Sequence, residues 1–152
     1  MKRIVSVWLP HWPIERLKRH RPGAVPDDKP FALVAGGAHG IRISAINTHA
    51  AREGLRTGMS LADARAAVPI LVSHPCETER DARALKRLAL WLGRYGPHRN
   101  AEGCDGVWID TTGVAHLFGG EAALLDDLVQ RLAGFGITAR AGLAGTPGAA
   151  HA

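Results

Sequence analysis

Two carboxylates bracket one short apolar run: Asp105 precedes Val107-Trp108-Ile109 and Asp110 follows it. Acids so placed are the first candidates for holding a divalent cation. Val, Trp and Ile favour strands, and Gly103, Gly106, Thr111, Thr112 and Gly113 punctuate the run on both sides, so it reads as a short buried strand. Strand side chains alternate faces, so two residues five apart on a regular strand point to opposite sides and cannot share one ion. Asp105-Gly106 is also an ordinary turn dipeptide, and Asp105 reads as a turn residue before it reads as a ligand. No other group of residues competes for the role. His11, His49, His98 and His116 fall on different segments without the paired spacing of a zinc site. Cys76 and Cys104 are too few and too isolated for a zinc site or a disulfide framework, and read as free buried thiols in a reducing cytosol. The cluster Gly36-Gly37-Ala38-His39-Gly40 lacks the Gly-Lys-Ser/Thr and the helix start of a phosphate loop, so it reads as a hairpin turn.

The elements that would position Asp105 and Asp110 follow from periodicity. At 152 residues the chain has room for one domain, or one domain with a small insertion. A net charge of +5 favours a polyanionic partner without specifying nucleic acid. No stretch is long enough to span a bilayer, and Pro10 cuts off the apolar run after Met1-Lys2-Arg3 too early for a signal peptide. Arg3 to Leu9 predicts a first strand, and Trp12-Pro13 opens a helix that runs to Arg21. Trp8 and Trp12 read as core packing or interface anchors ahead of base-stacking groups. Phe31 to Ala35 and Ile41 to Ile46 predict a hairpin. Ser60 caps a helix over Leu61 to Ala67, which Pro69 ends, and Ile70-Leu71-Val72 predicts a short strand.

Glu77 to Tyr95 is the longest helical pattern, with Leu85, Leu88, Leu92 and Tyr95 on the core side. Arg80, Arg83, Arg87 and Arg94 lie on another side, which reads as solvated. Pro97 to Glu102 leads into the central strand. Glu121 to Phe135 is a second amphipathic helix, ended by Gly136, and Ile137 to Leu143 predicts a further strand. Thr146-Pro147 resembles a helix start, and the stop at Ala152 predicts a truncated chain.

Asp105 to Thr112 with Leu117-Phe118-Gly119 is similar to the palm segment of Y-family (translesion) DNA polymerases, and most of all to its ImuB-like, catalytically degenerate branch. In that family the strand carries an adjacent Asp-Glu pair that binds magnesium; Asp105 matches the Asp and Gly106 stands at the Glu. The first strand of the family carries the other metal-binding Asp, followed by an aromatic steric gate. Here those positions hold Trp8 and Pro13, and Pro10 falls at a second acidic position. The run from Ile43 to Ser60 resembles the start of the fingers, where a Tyr and an Arg hold the incoming triphosphate; Thr48 and Ala51 occupy those positions. Arg52 lies one residue on, about 100° around a helix. Pro147 stands at a Lys of the family's palm. In the family, the long helix over Glu77 to Tyr95 covers the palm sheet on the side away from DNA.

The resemblance, which covers nearly the whole chain, implies an α/β (α+β) fold. This would be a ferredoxin-like split βαβ palm over residues 1–37 and 70–152, with a fingers-like insertion over residues 38–69. It implies a noncatalytic, cytoplasmic protein of DNA repair and damage-induced mutagenesis. Its partners would be damaged or primer-template DNA, bound weakly by this part, and, for the intact protein, an error-prone replicative-type polymerase, an ImuA-type protein and the sliding clamp. Thumb and little finger would lie beyond the end. Two divalent ions about 4 Å apart repel by roughly 17 kcal/mol at an effective dielectric of about 20, and bridging carboxylates must offset much of that. With Trp8 and Gly106 in place, Asp105 alone remains, so no cofactor is expected, and magnesium at Asp105 only if a residual site persists. The alternatives are an active error-prone lesion-bypass polymerase with a divergent metal site, and a nonfunctional gene fragment.

Overall fold

The computed structural model describes residues 2–144, so the segment around Thr146 and Pro147 lies outside the described residues. The chain divides into two compact units: residues up to Trp12 together with those from Glu79 onward, and Pro13–Thr78.

The first unit contains β1 (Ile4–Trp8), α4 (Thr78–Trp91, continued by a 3-10 turn over Leu92–Tyr95), β5 (His98–Glu102), β6 (Gly106–Asp110), α5 (Glu121–Gly134) and β7 (Arg140–Ala144). The four strands form an antiparallel sheet in the order β5-β6-β1-β7. Strand, helix, two strands, helix, strand in that order is the split βαβ arrangement. Val5, Val7 and Leu9, with Val107 and Ile109, project to one face and pack with Leu85, Leu88 and Leu92 and with Leu124, Leu128 and Leu132. Both helices therefore cover one side of the sheet, and the alternate residues Ile4, Ser6, Trp8, Gly106, Trp108 and Asp110 belong to the other. The predicted core stripe of α4 is buried, whereas Phe135 at the end of the α5 stripe is 43% exposed.

Several expectations need correction. β5 was expected as a lead-in rather than a strand. Its sequence, His-Arg-Asn-Ala-Glu, has no apolar period, and its ladder with β6 makes it the edge of the sheet. The last strand starts at Arg140 instead of Ile137. Cys104 is exposed and Cys76 half-buried, against the expectation of buried thiols. Trp12 is buried and its indole donates to the Asp81 carbonyl at 3.1 Å, but Trp8 is not a core residue.

The second unit holds α1 (Trp12–His20, which begins at the boundary), β2 (Phe31–Gly37), β3 (Gly40–Ile46), α2 (Thr48–Arg52), α3 (Leu61–Ala67) and β4 (Val72–Pro75). Its sheet runs β3-β2-β4, with β2 and β3 antiparallel and β2 and β4 parallel. β2 and β4 thus belong with β3, and the inserted unit spans residues 13–78 instead of the expected 38–69. Asn47 organises this unit: its Oδ1 accepts from Phe31 N at 3.0 Å and from Ala50 N at 2.9 Å, and its Nδ2 donates to Lys29 O at 2.9 Å. Ser60 caps α3 as predicted, accepting from Asp63 N at 3.1 Å.

Close approach in the first unit depends on Gly96. A Cβ there would stand 2.1 Å from the Asp110 carbonyl oxygen, so only glycine lets the chain after the 3-10 turn press against the end of β6. Just before it, the buried Tyr95 hydroxyl donates to Asp127 Oδ2 at 2.6 Å, and Arg131 bonds the same oxygen at 3.0 Å. Burial, then the Asp127 bond, pushes the phenol up; the Tyr95 bond holds the Asp127 carboxyl below its ordinary 3.8. Because the Asp127 shift is downward, its contribution to stability is present above pH 3.8 and is lost as pH falls through the lower, folded value. Tyr95→Phe should therefore cost about 1–2 kcal/mol at neutral pH. The gap from the parent should narrow below about pH 4, which urea unfolding at the two pH values would measure.

Candidate functional site

The pairing of β1 with β6 and β7 sets Trp8 directly between Gly106 and Arg140 on the sheet. Trp8 ends β1 and is 37% exposed, an uncommon state for the largest apolar side chain. Its indole Nε1 donates to Asp105 Oδ2 at 3.2 Å. The Arg140 guanidinium carbon lies 5.4 Å from the centre of the Trp8 ring, within cation–π range. The Asp105 backbone is held as well, since Leu9 N donates to its carbonyl at 2.8 Å. Asp105 precedes β6 as a turn residue, and its carboxylate folds back onto the indole.

Asp110 plays a different part. It closes β6, level with Ile4 and His98, at the opposite end of the strand from Gly106. Four residues of strand separate those ends, about 13 Å. The expectation that Asp105 and Asp110 occupy opposite faces is corrected, because Asp105 lies off the regular strand and reaches Trp8, a residue of the Asp110 face. Asp110 Oδ1 accepts from Thr112 Oγ1 at 2.6 Å and from Thr112 N at 3.0 Å. Those two bonds, the hydroxyl first, hold its carboxyl below the usual range and mark it as the acceptor of a side-chain turn.

Magnesium sites combine one or two carboxylates with substrate phosphates and water in near-octahedral geometry, and paired sites need bridging acids. Asp105 is the single acid among Trp8, Asp105, Gly106 and Arg140. Among the described residues no group of three or more His, Cys, Asp or Glu side chains could hold a metal ion. The space is also closed to an easy reversal: a Cβ on Gly106 would stand 3.1 Å from Glu102 O and 3.5 Å from Val7 O. These residues do not fit a magnesium pair.

The nucleotide-type positions belong to the other unit. Thr48 and Ala51 are exposed on the five-residue helix α2, Arg52 is exposed beside them, and Pro13 is half-buried in α1. His49 Nε2 contacts the Asp27 carbonyl at 2.9 Å, while His11, His98 and His116 are exposed on separate segments. The residue that sequence reasoning missed is Arg140. It lies within a correctly expected strand segment, but its place beside Trp8 depends on strand register, which no local signal encodes.

A sequence profile of the impB/mucB/samB family matches residues 13–152. The chain is 48% identical over 99 residues to Protein ImuB of Caulobacter vibrioides, in strains NA1000 / CB15N and ATCC 19089 / CIP 103742 / CB 15 alike. That match covers 65% of the chain and 22% of each relative, so the chain spans only a fraction of their length. Among solved structures, the insertion ternary complex of Dbh DNA polymerase matches with a TM-score of 0.78 at 17% identity, over 93% of this chain and 42% of that one. DinB from Sulfolobus solfataricus matches with a TM-score of 0.75 at 16% identity, with the same coverage. At such identities the likeness is one of fold.

The crowding at Gly106 yields a direct expectation. Gly106→Glu should lower stability by about 1–3 kcal/mol through overpacking. It should gain no magnesium-dependent rise in melting temperature, because Trp8 still supplies no carboxylate and its N–H engages Asp105 Oδ2; thermal melts with and without magnesium would check both parts.

Proposed function

The chain belongs to the impB/mucB/samB family of Y-family polymerase-like proteins, and from that membership we propose that it is a noncatalytic accessory of DNA repair and damage-induced mutagenesis. One observation carries the reading: the Trp8 indole donates to Asp105 and the Arg140 guanidinium lies over the Trp8 ring, at the positions that the resemblance matches to the family's metal-binding acids. Phosphoryl transfer relies almost wholly on positioning and neutralisation of charge by metal ions. A chain with a single carboxylate here, bonded by an indole N–H, keeps the palm without the set of acids that two-metal synthesis uses. Thr48 and Ala51 support the same reading on the nucleotide side, since neither can clamp a triphosphate as a Tyr and an Arg would.

DNA is the proposed polyanionic partner, supported by the net charge of +5 and by the family. For the longer protein that the ImuB relatives represent, we propose assembly with an error-prone replicative-type polymerase, an ImuA-type protein and the sliding clamp. A cytoplasmic location is proposed with it; among the described residues no helix is long and apolar enough to cross a membrane.

Primer extension with magnesium or manganese tests the central point, and no incorporation above a protein-free control is expected. In parallel, fluorescence anisotropy on a primer-template duplex should show binding that weakens steeply with salt and ignores magnesium. Incorporation, or magnesium-dependent tightening with added nucleotide, would overturn the noncatalytic reading.

A further inference from the structure

We infer that the outer side of α4 is a docking site for an acidic, apolar-anchored segment of a partner protein. This deepens the accessory reading above, on which it rests, by giving it a surface. Arg83, Arg87, Leu90 and Arg94 follow at steps of four, three and four residues, which places them in one row along α4 and the turn after it. All four are exposed, Leu90 by 67%. Beside the row, Trp91 meets Phe135 edge-on at 5.3 Å, and the Arg94 guanidinium lies 4.8 Å from the centre of the Trp91 ring. Among the described residues, neither Arg83 nor Arg87 is paired with a carboxylate. Glu79 is the acid exposed on the same helix; on α5, Asp126 is exposed while Asp127 is engaged by Tyr95 and Arg131.

An apolar centre of Leu90 and the Trp91–Phe135 pair, rimmed by arginines, is the composition of a protein interface hot spot. Arginine forks match carboxylates bidentately, so a segment with Glu or Asp around a Leu or Phe would satisfy both parts. A phosphate backbone would use the arginines and leave Leu90 without a role, which favours protein over nucleic acid.

The test uses the full chain and three labelled probes in anisotropy titrations: an amphipathic helical peptide of Glu and Leu, poly-glutamate of equal charge, and single-stranded oligo(dT). The leucine-containing peptide should bind more tightly than poly-glutamate. Leu90→Ala should weaken it roughly tenfold and leave poly-glutamate unchanged. The double variant Arg83→Glu, Arg87→Glu should lose both ligands, and because all three positions are exposed, far-UV circular dichroism should stay unchanged. No preference for the leucine-containing peptide, or no effect of Leu90→Ala, overturns the inference. Oligo(dT) binding that falls with the double variant as steeply as peptide binding, with Leu90 irrelevant to both, would assign the row to nucleic acid instead. Nucleotide incorporation in primer extension would sink the noncatalytic reading without altering these affinities, so the two failures are separable.

Discussion

The antiparallel ladder between β1 and β6 is the constraint from which the rest of the first unit follows. Five residues of each strand pair in register, from Ile4 with Asp110 to Trp8 with Gly106. With a side-chain period of two, that register sends Val5, Val7, Val107 and Ile109 to one side together, giving α4 and α5 a common apolar surface to cover. A slip of one residue would turn Trp8, Ser6 and Ile4 toward α4 and α5 and carry the valines to the opposite face. The same register brings Trp8 beside Gly106, so the packing of one face and the chemistry of the other are set by one arrangement. β5 and β7 only extend it, adding Arg140 at one end and a polar edge at the other.

Close packing at the ends of β6 ties this ladder to the helices. Gly96 lets the chain after the 3-10 turn touch the Asp110 carbonyl, and Tyr95, one residue earlier, reaches across to Asp127 on α5. The end of α4, the end of β6 and the middle of α5 are thereby joined within a few residues. A side chain at Gly96, or loss of the Tyr95 hydroxyl, would act on three elements at once, whereas substitutions on the outer side of α4 act on none of these contacts.

Much of this was legible in the sequence where periodicity or capping chemistry is strong. Leu85, Leu88, Leu92 and Tyr95 repeat at helical spacing and are buried; Ser60 and the Trp12-Pro13 start behave as their residue types predict. The palm and fingers resemblance rests on the runs Asp105 to Thr112 and Ile43 to Ser60. What could not be read depends on partners distant in sequence. β5 has no apolar alternation and exists through its ladder with β6. The inserted unit is wider than expected because β4 pairs with β2 in parallel, a long-range contact with no local mark. Trp8 reads from its residue type as core packing or an interface anchor, and only the register shows it beside Arg140. Asp105 read as a turn residue, which it is, but its indole partner lies 97 positions away.

The residues Trp8 and Gly106 also set what the sheet face requires. A site of several converging carboxylates carries mutual repulsion that a divalent cation must relieve, so its order depends on an ion from outside. Here one carboxylate remains, its oxygen accepts the Trp8 N–H, and the Arg140 cation lies against the indole. The indole thus bonds the carboxylate through its N–H and meets the guanidinium with its ring. A cation or nucleotide approaching Asp105 Oδ2 would therefore compete with the Trp8 N–H for that oxygen.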